Sequence, residues 1–217
     1  MTTAKNTFLV RNMTRKELDL AIEWAEKEGW NPGIYDAEAF YTADPEGYFI
    51  GILNDEPIGV VSAISYSDNY GFVGFYIIKP EYRGKRYGVL LLNKAMQHLE
   101  GKNVGTDGVL NKQQTYTNLF DMKFAYKNIR YEGIAKKVEF HNTVEIDKIP
   151  IKDLIKYDTM MFSANREEFL KKWIKQPESY SVATTENNQL TGFGVIRKCF
   201  KGYKIGPIFA DNKEYAL

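Results

Sequence analysis

The chain has a single cysteine, Cys199, in 217 residues. That excludes an intramolecular disulfide framework and any zinc site built from several thiolates. Histidine is nearly as scarce. His98 and His141 are the only two and lack the HExxH spacing of a metal-binding helix, so no metal centre is expected. Charge of one sign is missing too: Lys plus Arg (29) almost cancel Asp plus Glu (28). The basic excess of a nucleic-acid binder is therefore absent. No apolar run approaches the roughly 20 residues of a membrane-spanning helix, and the opening MTTAKNTFLVRNM lacks the apolar stretch of a secretory signal. Neither nucleic acid nor membrane is an expected partner, and the expected compartment is the cytoplasm. What is present, 44% hydrophobic and 26% charged residues, is the balance of a folded globular protein. At about 150 residues per domain, the length suits one domain and part of another.

Alternating periods set out an α/β fold. Thr7–Arg11 reads as a strand. Thr14 with Glu17 three residues later forms a capping box before Leu18, Ala21, Ile22 and Ala25, and Gly29 and Pro32-Gly33 end that helix. Gly47–Leu53 and Pro57–Tyr66 read as strands around the turn Asn54-Asp55-Glu56, and a further turn at Asp68-Asn69 leads into the strand Phe72–Lys79. Val89–Leu99 is a helix with Leu91, Leu92, Ala95 and Leu99 on one face. Val104–Val109 reads as a strand, Asn111–Leu119 as partly helical, and Phe124–Ile134 and Lys137–His141 as strands closing the sheet. A second unit begins near Ile146, with helices at Ile151–Tyr157 and Arg166–Trp173 and strands at Ser179–Thr184, Leu190–Cys199 and Tyr203–Ala210. The expected domains are 1–142 and 146–217. The second, as half a domain, is expected to pack on the first, pair with another chain, or continue in a longer protein. A homodimer therefore stays open.

The stretch that carries chemistry is Phe75–Gly88. A strand delivers the chain to a loop, and the loop opens an apolar helix. Arg83, Lys85 and Arg86 crowd the N-terminal end of that helix, where the dipole is already positive and each cation costs about 0.3–1 kcal/mol. A bound anion would account for them. Gly84 and Gly88 would let backbone N–H groups approach it closely. An exposed basic loop extending into water is the alternative reading of the same residues. The segment carries neither GxxxxGK[ST] nor GxGxxG, so nucleotide hydrolysis and dinucleotide redox chemistry are not expected.

Ile78-Lys79-Pro80 followed by Arg83-Gly84-Lys85-Arg86-Tyr87-Gly88 resembles the signature of the GCN5-related N-acetyltransferases, with Arg86 where the inner glycine usually stands. Trp30–Gly33, Asp107–Tyr116 and Phe124–Gly133 resemble more narrowly a branch carrying a second acetyltransferase-like domain. The front half of such a domain resembles Ala183, Gly192-Phe193-Gly194, Arg197, Gly206-Pro207 and Ala210-Asp211. The resemblance implies a GNAT-like mixed, mostly antiparallel sheet, splayed between its fourth and fifth strands. It also implies acetyl-CoA as cosubstrate. Arg83, Gly84, Lys85, Arg86, Tyr87 and Gly88 would hold the diphosphate, and Asn111 would add a contact. Tyr76, Ile77 and Ile78 would pair with the pantetheine amides, and a backbone N–H there would polarise the thioester carbonyl. Tyr116 would protonate the departing thiolate. Trp30, Arg130 and Tyr131 would contact a small-molecule amine acceptor.

No glutamate lies on the fourth strand, and Asp68, the nearest carboxylate, falls in a turn, so proton removal through water or without a dedicated base is the expectation. His98 reads as a favourable charge at a helix end, His141 as a surface residue and Cys199 as a small buried hydrophobe. The rival readings are a non-catalytic sensor of CoA or another ligand with the same fold, and a structural protein that self-associates.

Overall fold

The computed structural model describes residues 7–109, 113–120, 122–135 and 143–216. Strand β1 (Phe8–Asn12) is followed by helices α1 (Arg15–Lys27) and α2 (Asp36–Ala43). Strands β2 (Tyr48–Leu53), β3 (Glu56–Ser65) and β4 (Tyr70–Ile78) come next, then α3 (Tyr87–His98), β5 (Asn103–Thr106) and α4 (Gln113–Phe120). The strands form one sheet in the order β1-β2-β3-β4-β5, antiparallel except for the parallel β4–β5 pair.

Period-two alternation sends successive side chains to opposite faces of this sheet. Tyr48, Ile50, Val60, Ile64 and Ile77 meet Leu18, Ala21, Ile22 and Ala25 of α1 on one face. Phe49, Val61, Ala63 and Val73 meet Leu91, Leu92, Ala95 and Leu99 of α3 on the other. Each fully buried leucine stabilises this sandwich by about 1.5–3 kcal/mol. The expected capping box is present: Glu17 N–H donates to Thr14 Oγ1 at 3.3 Å, and Thr14 N–H donates to a Glu17 oxygen at 2.8 Å.

The second unit comprises β6 (Thr143–Glu145), α5 (Ile151–Phe162), α6 (Glu167–Trp173), β7 (Ser179–Glu186), β8 (Gln189–Lys198), β9 (Tyr203–Ala210) and the short α7 (Lys213–Ala216). Its sheet runs β6-β7-β8-β9, all antiparallel. Leu154, Tyr157, Phe169, Leu170 and Trp173 pack on Ala183, Phe193 and Val195. Ala39 of α2 belongs to this core, although it precedes the first sheet's β2.

Two expectations need correction. Helix α2 was not anticipated, because its apolar residues face two different cores and leave no single stripe. Phe124–Ile134 forms no strand: residues 122–135 carry neither helix nor sheet, and Tyr131 and Ile134 are 88% and 95% exposed. Their alternation has the period of a strand, but no ladder partner is present among the described residues. Lys137–His141, and His141 with it, lie outside the described residues.

The loop between α1 and α2 docks on the second unit. Asn31 Nδ2 donates to Lys201 C=O at 2.9 Å, Lys201 N–H returns a bond to Asn31 Oδ1 at 2.8 Å, and Ile34 N–H donates to Lys198 C=O at 3.1 Å. Gly33 N–H donates to buried Asp36 at 2.8 Å, and a β-carbon at position 33 would lie 2.2 Å from the Asp36 carboxylate. Only glycine fits there. Arg197 of β8 completes the junction through two bonds to Asp36.

Candidate active site

Strand β4 ends at Ile78, and a 3-10 turn at Pro80–Tyr82 leads toward α3. Gly84 (φ +76°) and Arg86 (φ +69°) both adopt left-handed backbone, and Arg86 is the N-cap of α3. For a residue with a β-carbon this conformation costs about 1–2 kcal/mol, which is why glycine suits position 86. No side chain caps α3 and its first turn has no acidic residue, so its leading N–H groups remain available to a ligand.

The three loop cations are not equivalent. Arg83 donates Nε–H to Ile78 C=O at 2.7 Å and an Nη2 N–H to the Glu28 carboxylate. Lys85 lies 5.6 Å from the Tyr82 ring centroid. Among the described residues neither Lys85 nor Arg86 has an ion-pair partner. The loop is fastened from below by Glu56, which accepts from Lys79 Nζ at 2.6 Å and from the Tyr82 hydroxyl at 2.8 Å.

Beside this loop the sheet opens. β5 pairs with β4 only over Tyr70–Val73, so the outer edge from Gly74 to Ile78 has no strand partner among the described residues. The inner edge bulges at the same place: Gly74 pairs with Ser62 and Ile77 with Val60, so Phe75 and Tyr76 oppose Val61 alone. Phe75 takes φ +46°, a strained conformation for an aromatic residue. Lys79 N–H donates to Ile58 C=O at 2.9 Å. By ladder alternation Ile77 then turns its backbone toward β3 and Ile78 turns its own toward the gap. There the Ile78 carbonyl already accepts from Arg83, while its N–H remains for a ligand.

Tyr76 lies on the α3 side, where a β-carbon at position 88 would come within 2.4 Å of its hydroxyl. Gly88 thus makes room for the Tyr76 ring. Burial pushes the Tyr76 phenol up to about 12, and nearby Tyr116 adds to the rise. Half-buried Tyr116 on α4 is raised from its ordinary value by burial. The fold therefore brings Tyr76 and Tyr116 together beside the open edge. Tyr87, at the start of α3, packs on Phe8 with ring centroids 4.9 Å apart. Asn111 lies outside the described residues.

Of the residues suggested for the acceptor, Trp30 is half-buried against the α1-side core, and its carbonyl accepts from Lys204 Nζ at 3.1 Å. Arg130 is close enough to Lys204 to help hold its ammonium below the ordinary range, after the larger effect of burial. Tyr131 is surrounded by solvent. Lys204 thus joins Trp30 and Arg130 but not Tyr131. Asp68 is exposed in the β3–β4 turn, at the opposite end of β4 from the gap. His98 pairs with Asp44 at 2.7 Å, and Cys199 is fully buried.

Sequence reasoning missed Glu28, Phe40 and the bulge at Phe75. Glu28 had left a trace, since a carboxylate at the C-terminus of α1 opposes the dipole there. Phe40 and the bulge had left none.

Residues 15–121 match the acetyltransferase (GNAT) family, and residues 154–217 match an acetyltransferase (GNAT) domain. Over 209 residues the chain is 31% identical to a holothin acyltransferase of Pseudoalteromonas sp. (strain SANK 73390), covering 95% of this chain and 71% of that protein. The chain belongs to the GNAT acetyltransferase family. An uncharacterized protein of Caenorhabditis elegans, F36G3.2, is 26% identical over 167 residues, which cover 67% of this GNAT chain and 52% of the nematode protein. A putative acetyltransferase from Pyrococcus horikoshii shares the fold at a TM-score of 0.78 and 21% identity, over 96% of this chain and 73% of its own. That likeness extends through both GNAT-like units. No described helix is long and apolar enough to cross a membrane.

Proposed function

We propose that this chain is an acyl-CoA-dependent N-acyltransferase that moves an acetyl group from acetyl-CoA to a small-molecule amine by direct attack in a ternary complex. One observation carries the reading. Among the described residues, a strand edge without a strand partner, Gly74–Ile78, adjoins an uncapped helix N-terminus, with Lys85 and Arg86 outside any ion pair. A linear carrier with amides along its arm and a diphosphate at its end matches that juxtaposition. The domains are taken as 1–142, which holds the site, and 146–217, which braces it through α2. The relative named as a holothin acyltransferase supports acyl transfer to an acceptor.

In this reading the Ile78 N–H and the exposed edge at Tyr76 hold the pantetheine arm. The free N–H groups of α3, with Lys85, Arg86 and the unused donors of Arg83, hold the diphosphate. The neutral amine attacks the thioester carbonyl and the N–C bond forms; the C–S bond breaks, the nitrogen gives up one proton to water, and the thiolate takes one. Tyr116, kept protonated by burial, supplies a hydrogen bond to the developing thiolate. A phenol above 10 is a weaker acid than a thiol near 8.5, so Tyr116 stabilises charge in the transition state and solvent completes the protonation.

Calorimetric titration with CoA is the direct test. Binding is expected, and no heat at millimolar CoA would sink the reading. The strain at Arg86 and the absence of a carboxylate on β4 favour a second reading, a CoA sensor without turnover. Thiol release from acetyl-CoA with a panel of amines separates the two. Release with any amine supports the enzyme, whereas binding without release supports the sensor.

A further inference from the structure

Glu28 and Arg83 come from distant parts of the chain, and each stands where a helix dipole disfavours it. Glu28 is the C-cap of α1, at a negative helix end, and Arg83 approaches the positive end of α3. Their ion pair relieves both. It also does something a surface salt bridge does not: it fixes the plane of the guanidinium. Arg83 is held at two points, through Nε–H on Ile78 C=O at 2.7 Å and through Nη2 on Glu28. A guanidinium has five N–H donors in a rigid fork. Two are used here, leaving both on Nη1 and one on Nη2. The side chain keeps 48% of its exposure, and among the described residues those three donors have no hydrogen-bond partner.

We propose that Glu28 is a positioning residue for the diphosphate end of the acyl-CoA site, holding Arg83 so that its unused donors form a bidentate fork for a phosphate. This rests on the acyl-CoA reading above. Unclamped, a four-torsion side chain would have to be ordered when the phosphate arrives; clamped, it is ordered beforehand, and the ligand does not bear that entropy. Ile78 ties the same guanidinium to the edge that would receive the pantetheine arm, so both ends of the carrier meet surfaces set by one residue. A carboxylate that merely competed with phosphate for Arg83 would have the opposite effect on affinity.

The test uses the full chain, with CoA affinity measured by calorimetry and acetyl transfer measured from both acetyl-CoA and acetyl-pantetheine, which lacks the diphosphate. Glu28→Gln is expected to weaken CoA roughly tenfold, the scale of one charge-assisted hydrogen bond, and to raise KM for acetyl-CoA with kcat unchanged. Transfer from acetyl-pantetheine should stay within twofold. In an Arg83→Ala background, Glu28→Gln should change nothing further. The inference is overturned if Glu28→Gln leaves CoA affinity unchanged or tightens it, if acetyl-pantetheine suffers equally, or if the loss persists without Arg83. If the unaltered protein binds no CoA at all, the acyl-CoA reading itself has failed and takes this inference with it. Thermal unfolding of Glu28→Gln checks that the fold survives; a normal transition with weakened CoA is the supporting result.

Discussion

Arg197 of β8 donates Nε–H to one oxygen of Asp36 at 2.7 Å and Nη2 N–H to the other at 3.1 Å, with both side chains almost wholly buried. The two residues are 161 positions apart and belong to different sheets' neighbourhoods. The same guanidinium lies 4.3 Å from the ring centroid of Trp173, and Asp36 also receives Gly33 N–H. A single acid–base pair thus ties the start of α2, the α1–α2 loop and the second core together.

Removing one partner would strand the other charge in a low-dielectric junction. Asp36→Ala is expected to lower stability by about 3–5 kcal/mol, measured as a drop in the urea midpoint. The double substitution Asp36→Leu with Arg197→Met should recover part of the loss, because the desolvation penalty goes with the charges. Equal loss in single and double variants would contradict this account.

Arg86→Gly separates backbone from side chain at the N-cap of α3. Releasing the left-handed strain should raise stability by up to about 1 kcal/mol, less than the full strain because glycine also loosens the unfolded chain. The same substitution removes a free cation, so CoA should bind more weakly. A more stable protein with weaker CoA binding is the expected pair of results, read from denaturant melts and calorimetry.

Tyr116→Phe should lower kcat by about 10- to 10²-fold, the scale of one hydrogen bond to a charged group, with KM for acetyl-CoA little changed. Burial raises this phenol, so its protonated form persists through neutral and mildly alkaline pH. The unaltered protein should therefore show no loss of rate from Tyr116 below pH 10. An alkaline limb near pH 8 that vanished in the variant would contradict the assigned direction.

Glu17 bonds Arg11 and the Thr14 backbone, and the Arg11 hydrogen bond is the main reason its carboxyl falls to about 2 from an ordinary 4.5. A depressed value means the folded state favours the charged form. The stabilisation is therefore complete above pH 4.5 and fades as pH falls toward 2. Glu17→Gln should cost about 1 kcal/mol at neutral pH, in line with a helix cap, and the difference should shrink below pH 4. Paired unfolding curves at pH 7 and pH 3 measure it.

Most of the fold was legible because its signals are local. Thr14 and Glu17 mark a helix start three residues apart, Asn54-Asp55 marks a tight turn, and Leu91, Leu92, Ala95 and Leu99 mark one buried face. The loop Arg83–Gly88 was legible for the same reason. What the sequence could not express was partnership at a distance. Nothing near Arg83 announces Glu28, 55 residues earlier, and nothing near Trp30 announces Lys204. The bulge at Phe75 exists because the register slips between two strands, a property of the pair that neither strand carries alone. Phe124–Ile134 fails in the converse way, since its residues suit a strand but a ladder needs a neighbour.

Phe40 has a consequence for any attempt to divide the molecule. Its ring meets Phe75 at the bulge on one side (5.7 Å between centroids) and Trp173 and Phe169 on the other (5.4 and 6.3 Å). A fragment ending before residue 143 would leave that ring wet and the distorted strand beside it unsupported. The carboxyl-terminal third is thus an internal buttress for the strand from which a thioester would hang, and heating should melt the two units as a single cooperative body.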